Sequence, residues 1–128
     1  MPSTTAGQTL DRDAARFGRN AEPFILLILR DGRSYGYEIR SRLEAFGFRR
    51  AAREPGVVYR LLHSLEQAGL IDSEWDLTAS GPARRYYRLT ESGEAQLRRG
   101  AEHLERHAQR IARFFEAYHQ PGAEGEEV

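Results

Sequence analysis

Cysteine does not occur in this chain of 128 residues. Disulfides, thiolate metal sites and a cysteine nucleophile are thereby excluded, and the composition fits a cytoplasmic protein. Lysine is missing too: all 19 basic residues are arginine, balanced by 19 Asp and Glu. Long apolar runs are also lacking. The longest, Phe24 to Leu29, falls far short of the roughly 18 residues that span a membrane. The opening stretch MPSTTAGQTLDRD has neither a basic start nor an apolar core, so it is not expected to be a secretory signal. Nor is there a Gly-rich phosphate loop, a nucleophile elbow or an HExxH helix. An enzyme is not expected, and neither a cofactor nor a metal.

The zero net charge hides a pattern. Residues 30–88 carry eleven Arg against eight Asp and Glu, and residues 91–128 carry five against eight. A basic middle followed by an acidic end points to an anionic partner for the middle. The pI near 6.9 shows no basic excess for the chain as a whole.

Residues 1–20 hold few large apolar side chains and read as a flexible arm or a weak helix; 121–128, PGAEGEEV, read as a disordered tail. The stretch AEPFILLILRDG (21–32) predicts a buried helix, with Pro23 near its start and Gly32 at its end. In SYGYEIRSRLEAFGF (34–48), Ser34 is a candidate N-cap and Gly47 a stop. Tyr35, Ile39, Leu43 and Phe46 share one helical face there. RRAARE reads as a basic loop. PGVVYRLLHSLEQAG (55–69) is the clearest helix: Pro55 suits its first position and Gly69 follows its end. Val58, Leu61, Leu62, Leu65 and Ala68 form its apolar stripe. Gly56, Tyr59, Arg60, His63 and Gln67 lie opposite.

Alternation then sets in. Ile71, Ser73, Trp75 and Leu77 face one way, and Asp72, Glu74 and Asp76 the other. After the turn TASGP, Arg85, Tyr87 and Leu89 face one side and Arg84, Tyr86 and Arg88 the other, which predicts a hairpin. From Glu91 to about Gln120 the chain reads as one helix capped by Thr90. Leu97, Ala101, Leu104, Ala108, Ile111, Phe115 and Tyr118 recur at spacings of four and three, a heptad seam suited to a second copy. The fold class is mainly α with a small β-hairpin: a winged helix-turn-helix over 21–90 and a long dimerisation helix over 91–120.

Three stretches resemble the PadR family of bacterial transcription regulators: YGYEI (35–39), GVVYRLLHSLEQAGLI (56–71) and GPARRYYRLTESG (81–93). The resemblance covers about 24 to 118. VYR and SEWD…SGPARR are similar to a branch that includes poly-hydroxybutyrate-responsive repressors. The resemblance implies a dimeric regulator of promoter DNA whose third helix reads the major groove. Where the family often has Thr, this chain has Val57, without a hydroxyl for a phosphate.

Gly56, Tyr59, Arg60 and His63 are candidate DNA contacts on the exposed face of the third helix; Arg there can grip guanine through two hydrogen bonds. Asp72, Glu74 and Asp76 lie on a face where Arg84 and Arg88 can answer them; Arg84 and Arg85, near the wing tip, are candidate phosphate contacts, whereas Arg88, deeper in the hairpin, is placed to pair. Tyr37 either bonds a phosphate or caps the core; Tyr35 belongs with the core. Trp75 either packs the wing onto the third helix or stacks on a ligand. His103 and His107 are four apart, but without a third ligand they read as solvated side chains.

The expected function is a homodimeric repressor on an inverted repeat in double-stranded promoter DNA, released by a small molecule or other effector. The rival is a winged helix that docks a protein instead of DNA. Arginines at both the wing tip and the third helix argue for DNA.

Overall fold

The computed structural model describes residues 2–78 and 81–120, with side chains from Arg12 onward, Ala14 apart. The tail expected at 121–128 lies outside the described residues. The chain divides into two compact units, residues 1–97 and 98–128.

The first unit begins with α1 (Pro2–Arg30). The expected arm is thus part of a helix, and Pro23 stands inside it rather than at its start. Phe17, Ala21, Ile25 and Ile28 explain the extension. They fall at spacings of four, four and three on one face, and all four are buried. Burial of that stripe offsets the hydrogen bond that Pro23, lacking an N–H, cannot make. Gly32 ends the turn at a φ of 139°, open to glycine alone at little cost.

Ser34 is not the N-cap expected of it. It is buried in the two-residue strand β1 (Ser34–Tyr35), and α2 (Gly36–Ala45) starts after Tyr35. The Tyr35 backbone N–H donates to Glu38 Oε1 at 2.9 Å, so a carboxylate one turn in satisfies the helix start. Ile39 and Leu43 are buried as expected, but Phe46 is exposed. RRAARE is not a loop throughout: Arg49–Arg53 form a short helix, α3, anchored by buried Ala51.

Pro55 opens α4 (Pro55–Gln67). Its end is a Schellman arrangement: the Leu70 N–H donates to the Leu65 carbonyl and the Gly69 N–H to the Glu66 carbonyl, each at 3.0 Å. Val57, Val58, Leu62 and Leu65 are buried against α1 and α2. The Val57 side chain is therefore a core group.

The wing strands are β2 (Ile71–Asp76) and β3 (Arg84–Leu89). With β1 they make a three-stranded antiparallel sheet in the order β1-β3-β2, one strand more than the hairpin expected. Asp72 opposes Arg88, Glu74 opposes Tyr86 and Asp76 opposes Arg84. Thr90 caps α5 (Glu91–His119), accepting from the Gly93 N–H at 3.0 Å.

In the second unit, residues 98–119 continue as helix. The seam residues Leu104, Ile111, Phe115 and Tyr118 are exposed there. Among the described residues no helix is long and apolar enough to cross a membrane.

Candidate nucleic-acid interface

Because Val57, Val58, Leu62 and Leu65 turn into the core, the opposite face of α4 is left to Gly56, Tyr59, Arg60 and His63, all exposed. The helix start is set by Pro55, whose missing N–H costs nothing at that position. Arg60 and His63 have no ion-pair partner among the described residues.

Tyr59 leans on α2. Its ring lies over Gly36, where a side chain would collide with it. Gly36 precedes Tyr37, which is 48% exposed and stacks on Tyr35 at 5.9 Å with the rings 7° apart. Arg84, from the wing, lies over both rings, at 5.9 Å from Tyr35 and 5.7 Å from Tyr37. Its Nη1 donates to the Tyr37 hydroxyl at 3.5 Å. Two of the expected contact residues, Tyr37 and Arg84, are thus brought together from α2 and β3, while Tyr59 of α4 lies against Gly36, the residue before Tyr37.

Arg85 projects from the other face of β3 and has partners that the sequence did not suggest. Its Nε donates to Ser73 Oγ at 2.8 Å, its Nη2 lies 3.5 Å from Glu66 Oε2, and its guanidinium sits 5.6 Å from the Trp75 ring. Ser73 donates to the same Glu66 oxygen at 2.6 Å. Glu66 belongs to α4, so this cluster fastens wing to helix. Trp75 is 55% exposed and meets this cluster through Arg85. Arg88 pairs as expected, 4.0 Å from Asp72 and 3.9 Å from Glu74.

The turn end of the wing strands, where Asp76 opposes Arg84, is polar. Tyr35 donates to Asp76 Oδ2 at 2.5 Å, and Thr78 donates to Oδ1 from its backbone N–H and its hydroxyl. The Tyr35 hydroxyl and then the Thr78 groups hold the Asp76 carboxyl at about 2, below its ordinary 3.8. Tyr86 donates to Glu74 at 2.6 Å, which raises the Tyr86 phenol, while Arg33 lies 4.5 Å from its ring.

Sequence reasoning missed Glu66, Ser73, Asp76 and Arg33. Cross-strand register offered a signal for the pairs within the wing, but nothing local marks Glu66 as the partner of Arg85. Among the described residues, no three His, Asp or Glu side chains gather as a metal set, and His103 and His107 gain no third ligand.

The model of the Transcriptional regulator PadR-like family matches residues 25–99. The curated transcriptional regulator Rv3488 of Mycobacterium tuberculosis is 39% identical over 79 residues, covering 59% of this chain and 70% of that protein. Among solved structures, the PadR-like transcriptional regulator BC4206 of Bacillus cereus superposes with a TM-score of 0.68 at 26% identity, over 78% of this chain and 96% of that one. A PadR family transcription regulator of Clostridium difficile gives a TM-score of 0.63 at 27% identity, over 73% and 96%.

Proposed function

This chain belongs to the PadR-like family of transcriptional regulators, and from that premise we propose that it is a homodimeric repressor of an inverted-repeat operator. Each α4 would enter a major groove with Arg60, Tyr59 and His63 toward the base edges and Gly56 allowing close approach. Arg84 and Tyr37 would hold the phosphate beside it, with Arg85 supporting the wing tip.

The observation that carries this is the joining of Arg84 and Tyr37, from the wing and α2, in a unit whose α4 presents Tyr59, Arg60 and His63 on its exposed face. A structural need alone explains it poorly, because exposed charge contacts contribute only about 0–1 kcal/mol each. The seam Leu97, Ala101, Leu104, Ala108, Ile111, Phe115 and Tyr118 supports a second copy: scattered apolar side chains are ordinary on a surface, but a heptad stripe exposed from Ala101 to Tyr118 is not. A dimer sets two α4 helices about one DNA turn apart. An effector that favoured a different spacing would release the operator.

The test is binding to the DNA upstream of the chain's own gene across a salt series, for the wild type, Arg60→Ala and Arg84→Ala/Arg85→Ala. Salt-sensitive, sequence-specific binding that Arg60→Ala weakens supports the proposal. Equal affinity of all three proteins for that DNA and for unrelated duplex overturns it.

A further inference from the structure

We propose that the leading half of α1 is a second DNA-contacting element, in which Arg12, Arg16 and Arg19 hold the phosphate backbone beside the site read by α4. This rests on the DNA-binding reading of α4.

The leading half of α1 runs ahead of the region that the family model matches, which starts at residue 25. It is nonetheless docked. Phe17 is buried and meets Phe48 edge-on at 5.9 Å, and a Cβ at Gly18 would stand 3.5 Å from Leu61 Cδ1, ordinary contact. α1 and α4 together line a cavity of about 270 Å³, walled by Ala15, Phe17, Val57, Arg60, Leu61 and Ser64. Arg60 is the side chain assigned above to the groove. The extension therefore borders the reading helix along its Arg60 edge.

Its charge is arranged to match. Arg12, Ala15 and Arg19 fall at i, i+3 and i+7, one stripe of the helix, and Arg16 lies next to it. Arg12 and Arg19 thus flank Ala15, the residue that lines the cavity with Arg60. All three arginines are exposed, and none has a carboxylate partner among the described residues. The nearby Glu22 instead accepts from Gln96 Nε2 at 3.2 Å. Arg42, Arg50 and Arg88 answer carboxylates, while Arg40, Arg49, Arg53 and Arg60, like Arg12, Arg16 and Arg19, have none within 4.0 Å among the described residues. Three unanswered guanidiniums in register on one helix, beside the reading helix, fit a line of phosphates, because Arg pairs with phosphate oxygens through two parallel hydrogen bonds.

The experiment compares four full-length proteins on the duplex upstream of the chain's own gene and on an unrelated duplex of equal length, across a salt series. They are the wild type, Arg60→Ala, Arg12→Ala/Arg16→Ala/Arg19→Ala and the triple Lys counterpart, each checked for helix content by circular dichroism. The expected result is a triple-Ala protein that folds and still prefers its own site but has a shallower salt dependence. The slope of log affinity against log salt should fall by about 0.9 for each phosphate left without its arginine, about 2.7 per chain if all three engage. The triple-Lys protein should keep most of the slope, and phosphate protection flanking the site should vanish only in the triple-Ala protein. If Arg60→Ala weakens binding while the triple-Ala protein matches the wild type in slope and footprint, the extension does not touch DNA and the reading of α4 stands. If the wild type binds neither duplex, both fall.

Discussion

The ring of Tyr59 occupies the space where Gly36 lacks a side chain: a Cβ at Gly36 would stand 2.5 Å from Tyr59 Cε1 and 3.1 Å from its hydroxyl oxygen. α2 and α4 thereby meet at their exposed edge through one aromatic ring. Gly36→Ala should push the ring outward, which a side chain can do at modest cost, so stability should change by no more than about 1 kcal/mol. Operator affinity should fall several-fold, because the displaced ring blocks the face it had shaped. In a Tyr59→Ala background the same change should have no further effect. A double-mutant cycle on DNA binding checks this; additive effects would separate the two residues.

Arg84 rests on two stacked tyrosines, which separates its charge from its placement. Arg84→Ala should leave one phosphate per chain without its cation and lower the salt slope by about 0.9 per chain, about 1.8 for a dimer. Tyr37→Ala keeps the charge and removes the platform. Cation–π contacts at exposed sites are worth about 0.5–1 kcal/mol, so affinity should drop about two- to fivefold with the slope unchanged. Titrations at three salt concentrations distinguish the two behaviours.

Glu66 presents the opposite case, a carboxylate beside an arginine wanted at the DNA. The pair is half-exposed, with side chains 44% and 29% accessible, so its coupling to Arg85 should not exceed about 1 kcal/mol. Glu66→Ala should therefore unfold little. It frees the Arg85 guanidinium and removes a negative charge, so the salt slope should become steeper than in the wild type. An unchanged slope would keep Arg85 as a fastener of the wing with no phosphate to hold.

Most of the architecture was legible because it follows from apolar spacing and punctuation. Pro55, Gly69 and the stripe between them specify α4, and alternation through Trp75 and Tyr87 specifies the wing strands. What escaped notice was longer in range. Ser34 looks like a cap in isolation, but pairing with Tyr87 across the sheet makes it strand. Phe17 looks isolated until its spacing to Ala21 and Ile25 is followed past Pro23, whose helix-breaking tendency masks the continuity. The exposed face of α4 could be read as the complement of its buried one. The Arg84 stack and the Glu66 cluster could not, since both depend on how the wing folds back on the helices.

Acid should test the turn end of the wing strands. The Asp76 carboxyl sits at about 2 in the folded chain against an ordinary 3.8, held down by the Tyr35 hydroxyl and then by Thr78. A depressed carboxyl contributes stability that is present above about pH 4 and is lost as pH falls toward 2. Wild type should therefore exceed Asp76→Asn in melting temperature at pH 5, and the gap should narrow steadily between pH 4 and pH 2. A gap that stays constant over that range would show that the carboxylate charge at Asp76 contributes nothing to the fold.

The proposed dimer would rest on the far end of α5, where Ile111 and Phe115, consecutive seam positions, are 42% and 48% exposed. Burying one such side chain stabilises by about 1.5–3 kcal/mol, and a two-fold pairing counts each change twice. Ile111→Asp/Phe115→Asp should thus turn a dimer into a monomer in sedimentation equilibrium. Helix content should hold over residues 91–97, where Leu97 packs against the core of the first unit. Affinity for the inverted repeat should then collapse toward that of a single half-site, since two linked reading helices gain from effective concentration and separate ones do not. His103→Ala, one residue off the seam, should leave both assembly and affinity intact. A wild-type chain that sediments as a monomer at micromolar concentration, or a seam variant that stays dimeric, would move the dimer interface away from α5 and with it the spacing of the two α4 helices.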